Sequence, residues 1–288
     1  MQNKEVNLRK LQLMELEILK EFIGVCANLN LRYFLAGGSV LGTIRHNGFI
    51  PWDDDIDVIM PRKDYEIFLE KGQSLMQKQF FIQTYKTEPD YVMGFAKIRN
   101  SNTTFIEKSL KNLDINHGIY IDVFPLDGYK IQNKFQNYLN KIRYYLYEMQ
   151  IAKKLNLEAK KNITVRGRIL NCISNIIYGN TPIQKLLRKK EKIATHYDYD
   201  KSEYICPFFD PVKAPLSLVF PKDYFGNGVV KKFEGIDVVI PQNYDAFLKQ
   251  HYGDYMKLPP EEEQKPHHYN QIIDLEKSYK YYKNLDKE

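Results

Sequence analysis

The stretch FIPWDDDIDVIMP, residues 49–61, constrains the fold more than any other part of the chain. Asp53, Asp54, Asp55 and Asp57 crowd a segment whose Ile56, Val58, Ile59 and Met60 mark it as a buried strand, stopped by Pro61. Carboxylates this close repel, and a buried one needs a partner. Whatever fold forms must bring a counter-charge here. Side chains alternate along a strand, so Asp55 and Asp57 are expected on one face, with Ile56 and Val58 in the core behind them. Asp53 falls before the strand on the side of Asp55. Asp54 faces away and receives no role. Two neighbouring carboxylates suit a hard divalent cation, Mg²⁺ or Mn²⁺, that is completed by substrate phosphates.

Two other stretches point the same way. LAGGSVLGTIR places Gly37, Gly38 and Ser39 between a short strand and a helix. Backbone N–H groups at such a junction can cradle phosphate, and glycine permits close approach. Thr43 lies one turn beyond Ser39, and Arg45 two turns beyond Gly38, within reach of a phosphate. In GIYIDVFPLDG, Asp122 interrupts an apolar strand that Pro125 and the Asp127-Gly128 turn are expected to end. On a strand beside Asp55 and Asp57, it would be a third cation ligand or a proton acceptor.

Around these features the first 130 residues read as α/β or α+β. A helix spans about Asn7 to Asn28, and RKDYEIFLEKGQSLM forms another, with Tyr65, Phe68 and Leu69 inward. FFIQTY, GFAKIRN and TTFIE are expected strands. From Lys130 to His196 long helical patterns dominate, and Lys and Arg heavily outnumber Glu148, Glu158 and Glu191. That basic surface is either a solvated face or a platform for an anionic membrane surface or polyanionic acceptor. No recognition motif accompanies it, which argues against specific nucleic-acid binding. From Ser202 the pattern is mixed: two strand-like pieces, a helix near Tyr244 to His251, and a polar tail. No run is long and apolar enough to span a bilayer, and the charged N-terminus does not read as a signal peptide. Three scattered cysteines, Cys26, Cys172 and Cys206, fit reduced thiols in a cytoplasmic protein without a zinc site.

The order strand, GGS, helix, acidic strand, later Asp strand resembles the nucleotidyltransferase superfold typified by DNA polymerase β. LAGGSVLGTIRHNGFIPWDDDIDVIMPRKDY, AKIRNSNTTFIE, HGIYIDVFPLDGY and YGDYMKLPP followed by His267 and His268 resemble the LicD family. The resemblance implies one domain over residues 1–288. Its α+β fold would be a polymerase-β-like core sheet with helices at 20–130, a basic helical insertion at 131–200, and a mixed segment at 201–288 that completes the site.

The resemblance also implies Mg²⁺-dependent transfer of a phospho-alcohol from a CDP-activated donor to a sugar hydroxyl of a cell-surface glycan precursor, free or lipid-linked. CDP-choline is the favoured donor, with CDP-ribitol and CDP-glycerol as others. Asp55 and Asp57 carry over as metal ligands, Asp122 as the third acidic residue, and Gly38 and Ser39 as the phosphate-contacting turn. Asp53 stands second to Asp122 as the base. Lys97 and Arg99, which alternate with Ile98, are candidates to face the donor phosphates. Trp52 could stack on a base or sugar, and His267 and His268 could close over the donor. The expected location is cytoplasmic, peripheral at the inner face of the membrane. A nucleotidylyltransferase that uses an NTP, and a non-catalytic module that binds membrane or glycan complexes, are the competing expectations.

Overall fold

A computed structural model describes residues 8–155, 165–207, 218–266 and 270–285. Helix α1, Leu8–Leu29, forms because Leu11, Ile18, Leu19, Phe22, Val25 and Cys26 recur on one buried face. It stops where Asn30 turns left-handed at φ 53° and Leu31 N donates to Cys26 O at 2.9 Å, closing the last turn. Strand β1, Phe34–Leu35, leads into α2, Gly37–His46, which Asn47 ends at φ 55°. Then follow β2, Asp57–Pro61; α3, Arg62–Lys71; β3, Phe80–Gln83; β4, Ala96–Asn100; β5, Thr104–Glu107; and β6, Ile119–Tyr129.

The basic region supplies α4, Lys134–Lys154, α5, Val165–Tyr178, and α6, Ile183–Ala194. The remainder adds β7, Tyr204–Pro207; β8, Phe220–Pro221; β9, Val229–Phe233; β10, Ile236–Ile240; α7, Tyr244–Tyr252; β11, Asn270–Asp274; and α8, Tyr279–Leu285.

The result is an α+β fold with a mixed sheet of order β1-β2-β6-β4-β3, extended through β7 and β8. Strands β2 and β6 are parallel; the other pairs are antiparallel. One face, with Val58, Ile82, Ile98, Ile121 and Val123, is buried. Helix α1 reaches that face, where Asn100 Nδ2 lies 3.3 Å from Met14 Sδ, and α3 joins α1 through the Phe22–Phe68 ring pair. Arg62 on α3 grips Asp127 of β6 with two bonds, 2.7 and 2.5 Å, in a nearly buried pair.

Strand β6 does not stop at Pro125, against the sequence expectation. Asp122 N donates to Ile56 O, toward the β2 side, so by alternation the missing Pro125 N–H is on the opposite edge. There Pro125 falls between Val123, the last partner of β4, and Leu126, the first of β7. A proline in that gap removes no ladder bond. The polar tail also holds more structure than expected: β11 pairs with β5, and α8 follows it. Ile272 and Ile273 supply what apolar content that short strand has.

Candidate active site

The N-terminus of α2 meets the start of β2. Ala36 N donates to Asp57 O at 2.9 Å, and Asp57 N donates to Ser39 Oγ at 3.0 Å. Thr43 Oγ1 donates to Ser39 O at 2.7 Å. The hydroxyls of Ser39 and Thr43 are buried and bind the local backbone. The glycines form the first turn of the helix itself, with Gly37 at φ 49°. A Cβ on Gly37 would sit 3.2 Å from Asp57 Oδ2, and one on Gly38 only 2.6 Å from Asp53 Oδ2. The two carboxylates press against a helix N-terminus, whose partial positive charge favours them.

This geometry separates two glycines of one helix. In Gly38→Ala the intruding methyl meets a movable carboxylate, so Asp53 is displaced and the fold survives. In Gly42→Ala the methyl meets Gly48 O at 2.4 Å, which is backbone. We expect Gly38→Ala to lose activity roughly 10- to 100-fold with its melting temperature nearly unchanged. Gly42→Ala should lose about 1–3 kcal/mol of stability in urea unfolding.

The acidic residues gather more tightly than strand alternation implied. Strand β2 begins only at Asp57, and residues 53–56 are irregular, after a turn at Pro51 and Trp52. Alternation therefore does not govern Asp54. Its side chain is buried rather than turned away, and Asp53, Asp54 and Asp55 each offer a carboxylate oxygen within 4.8 Å of the others. Helix α1 supports this loop from below. Gln12 Nε2 donates to Asp53 O at 2.9 Å and to Ile50 O at 3.4 Å. One turn on, Glu15 is buried, and its Oε2 has no hydrogen-bond partner among the described residues. Burial, then the charges of Asp55, Asp54, Asp53 and Asp122, push the Glu15 carboxyl well above the usual range.

Beside the cluster runs a polar row across the sheet. Asp57 of β2 is in register with Asp122 of β6, Asp122 with Lys97 of β4, and Lys97 with Gln83 of β3. Registered residues share a face, so the four line up. Lys97 Nζ sits 2.8 Å from Asp122 Oδ1 and 3.7 Å from Glu107 Oε1, with its ammonium 3.3 Å from the Tyr120 ring centroid. Burial, then Asp55, Asp122 and Asp53, raise the Asp57 carboxyl well above its ordinary value, and the pull of Lys97 does not offset them. Burial also raises Asp122, against the opposing pull of Lys97. Arg99 shares the Lys97 face but is wholly buried, donating to Gln83 Oε1 and Gly118 O, each at 2.8 Å.

A cleft of about 860 Å³ opens over Asp53, Asp55 and Asp57. Gly38, Arg45 and Trp52 also line it; Gly37, Ser39, Thr43, Lys97, Arg99 and Asp122 do not. Its other wall comes from the end of α7 and the segment after it, with Tyr252, Tyr255, Lys257 and Lys265. Arg45 Nη1 donates to Tyr255 O at 2.9 Å and Lys257 O at 3.4 Å, fastening that wall to α2. Burial, then the charges of Asp57, Asp53 and Asp55, push the Tyr252 phenol up, so it stays protonated and able to donate. His267 and His268 lie outside the described residues.

Sequence reasoning missed Gln12, Glu15, Tyr252, Tyr255, Lys257 and Lys265. A signal existed for the first two, which break an otherwise apolar face of α1. YGDYMKLPP stood out as a motif and contains Tyr252, Tyr255 and Lys257, but it gave none of them a role, because their place in the cleft depends on a contact between segments some 200 residues apart in the chain; nothing local marked Lys265.

Fold and site together describe an α+β protein with an acidic cleft between a helix N-terminus and the end of a parallel strand pair. Residues 30–157 match the family model described as LicD/FKTN/FKRP, nucleotidyltransferase domain. The lipopolysaccharide cholinephosphotransferase LicD of Haemophilus influenzae is 33% identical over 267 residues, which cover 92% of this chain and 97% of that protein. The ribitol 5-phosphate transferase FKRP of Homo sapiens is 45% identical over 42 residues, 15% of this chain and 8% of that protein. The chain belongs to the LicD family.

Proposed function

We propose that the chain is a Mg²⁺-dependent transferase that moves a phospho-alcohol, phosphocholine before others, from a CDP-activated donor to a sugar hydroxyl of a cell-surface glycan or teichoic-acid-type precursor. The observation that carries this reading is the carboxylate cluster facing an aromatic-lined cleft. Near full-length similarity to a cholinephosphotransferase supports it. In this reading residues 20–130 form a nucleotidyltransferase-type core on the polymerase-β plan, 131–200 a basic insertion, and 201–288 the segment that completes the cleft.

The donor set suits a hard cation. Three carboxylate oxygens lie within 4.8 Å of one another, Asp57 adjoins them with a raised pKa, and Glu15 Oε2 nearby lacks a hydrogen-bond partner among the described residues. Asp53, Asp54, Asp55 and Asp57 would hold the ion, with Asp122 on the next strand. A cation held there neutralises charge on the donor pyrophosphate and the departing CMP.

The remaining work falls to side chains. N–H groups in the first turn of α2 and the cations Lys257 and Lys265 hold donor phosphates. The acceptor oxygen forms a bond to the phosphorus that bears the alcohol, and the P–O bond to CMP breaks. The hydroxyl proton passes to a carboxylate, with Asp122 first and Asp53 second; burial raises the Asp122 carboxyl and makes it a stronger base than an ordinary carboxylate. Trp52, Tyr252 and Tyr255 offer ring faces to a quaternary ammonium.

A thermal-shift screen with Mg²⁺ tests donor choice. CDP-choline should raise the melting temperature most, CDP-ribitol and CDP-glycerol less, and CTP and ATP least. Consumption of CTP or ATP with pyrophosphate release would establish a nucleotidylyltransferase instead.

A further inference from the structure

Helix α5 is built inside out. The side it turns inward is small or polar: Gly167 and Ser174 are buried, Asn171 and Asn175 half-buried. Hydrogen bonds seat it on α4. Ser174 Oγ donates to Leu146 O at 2.7 Å, and Asn175 Oδ1 accepts from Gln150 Nε2 at 2.7 Å and Lys153 Nζ at 2.9 Å. Its apolar side faces outward. Ile169, Ile173, Ile176 and Ile177 are 57, 38, 79 and 56% exposed, and Cys172 between them is exposed too. At 3.6 residues per turn these positions make one stripe opposite Ser174. A helix that served only its own core would bury that stripe.

The surroundings say what meets it. Helix α5 contains no acidic residue, and Arg168 is exposed at the edge of the stripe. Of the acids in the basic region, Glu148 is paired with Lys190, Glu191 is held by Lys86 and the Tyr85 hydroxyl, and Glu158 lies outside the described residues. Exposed Lys153 and Lys154 at the end of α4 bond Asn175 and Gly179 beside the other end of the helix, so the apolar face carries cations at both ends. We propose that it docks on an anionic lipid bilayer, with the isoleucines at the boundary between headgroups and acyl chains and the cations on lipid phosphates. A second copy would set two basic rims against each other. Spanning is excluded for α5, whose 14 residues extend about 21 Å against a hydrocarbon core of roughly 30 Å.

This places docking on α5 rather than on the Lys185–Lys192 cluster of α6. There Lys190 turns to Glu148, and Lys189 lies over the Tyr147 and Tyr178 rings at 5.7 and 4.9 Å. The proposal concerns the surface alone and stands whether or not the transfer reaction is as described.

The test mixes the full chain with vesicles of phosphatidylglycerol and phosphatidylethanolamine, or of phosphatidylcholine, and sediments them. The protein should pellet with the anionic vesicles and far less with the neutral ones. Ile173→Asp/Ile176→Asp should lower partitioning roughly tenfold or more while the melting temperature holds, because both side chains are exposed. Cys26 and Cys206 are buried, so a polarity-sensitive fluorophore goes to Cys172, and its emission should shift to the blue on anionic vesicles. Wild-type protein left in the supernatant would overturn the proposal. So would equal binding by the double variant, or a concentration-dependent dimer that the double variant abolishes.

Discussion

Asp57→Asn should inactivate the protein and at the same time stabilise its metal-free form. The substitution keeps shape and removes a carboxylate that burial and three neighbouring aspartates oppose. A group whose folded pKa is raised contributes stability below its unfolded pKa, and that contribution is lost as pH rises through the folded value. Wild-type protein without metal therefore carries a penalty at high pH that shrinks as the pH falls and Asp57 takes up its proton. Asp57→Asn does not carry it. The variant should melt above wild type at pH 8 in chelator, with a margin that shrinks as the pH falls. Mg²⁺ should raise the melting temperature of wild type at pH 8 and do little for the variant. Turnover should fall roughly 10³-fold or more, in line with losing a principal charge-stabilising group. Near-normal turnover, or a variant less stable than wild type at pH 8, would contradict this account of the cluster.

Lys97→Met should produce the largest loss of stability. Lys97 is nearly buried and pairs with Asp122, itself buried, at 2.8 Å. Removing the cation strands Asp122 beside Glu107, and breaking a buried pair from one side costs about 3–5 kcal/mol. Urea unfolding should show that loss at pH 7 and a smaller one as the pH is lowered, because burial raises the Asp122 carboxyl and eases its protonation. Lys97→Met/Asp122→Leu should recover most of it, because two apolar groups replace the pair, although activity stays absent. If Lys97→Met instead kept wild-type stability and raised only KM for the donor, the lysine would serve donor phosphates rather than Asp122.

Much of the frame was legible because its signals are local. The apolar periodicity of Leu8–Leu29 and the alternation of Lys97 and Arg99 about Ile98 depend on neighbouring residues alone. The strand of Asp122 does lie beside that of Asp57, in register with it. Long-range effects were not legible. Pro125 passes through a strand because two partners leave a gap opposite it, and no local rule contains that gap. Asp54 turned inward because the chain bends before β2, so the alternation it was read by had not begun. Lys97 and Arg99 were read as facing ligand, whereas partners from β6, β3 and Gly118 hold them inside the sheet. The face of α5 was hidden for the opposite reason: its periodicity is that of an ordinary amphipathic helix, and only packing reveals which side was left out.

The central claim is that the acidic cluster serves divalent-cation-dependent transfer from a CDP-alcohol. Phosphorus NMR follows it directly in a mixture of protein, CDP-choline, Mg²⁺ and a glycan-precursor fraction. The account predicts that the pyrophosphate resonances disappear as CMP and a new phosphodiester grow in equal amounts, and that chelator or Asp57→Asn stops all three changes. Equal turnover in chelator, or an unchanged CDP-choline spectrum beside CTP conversion to pyrophosphate, would contradict it.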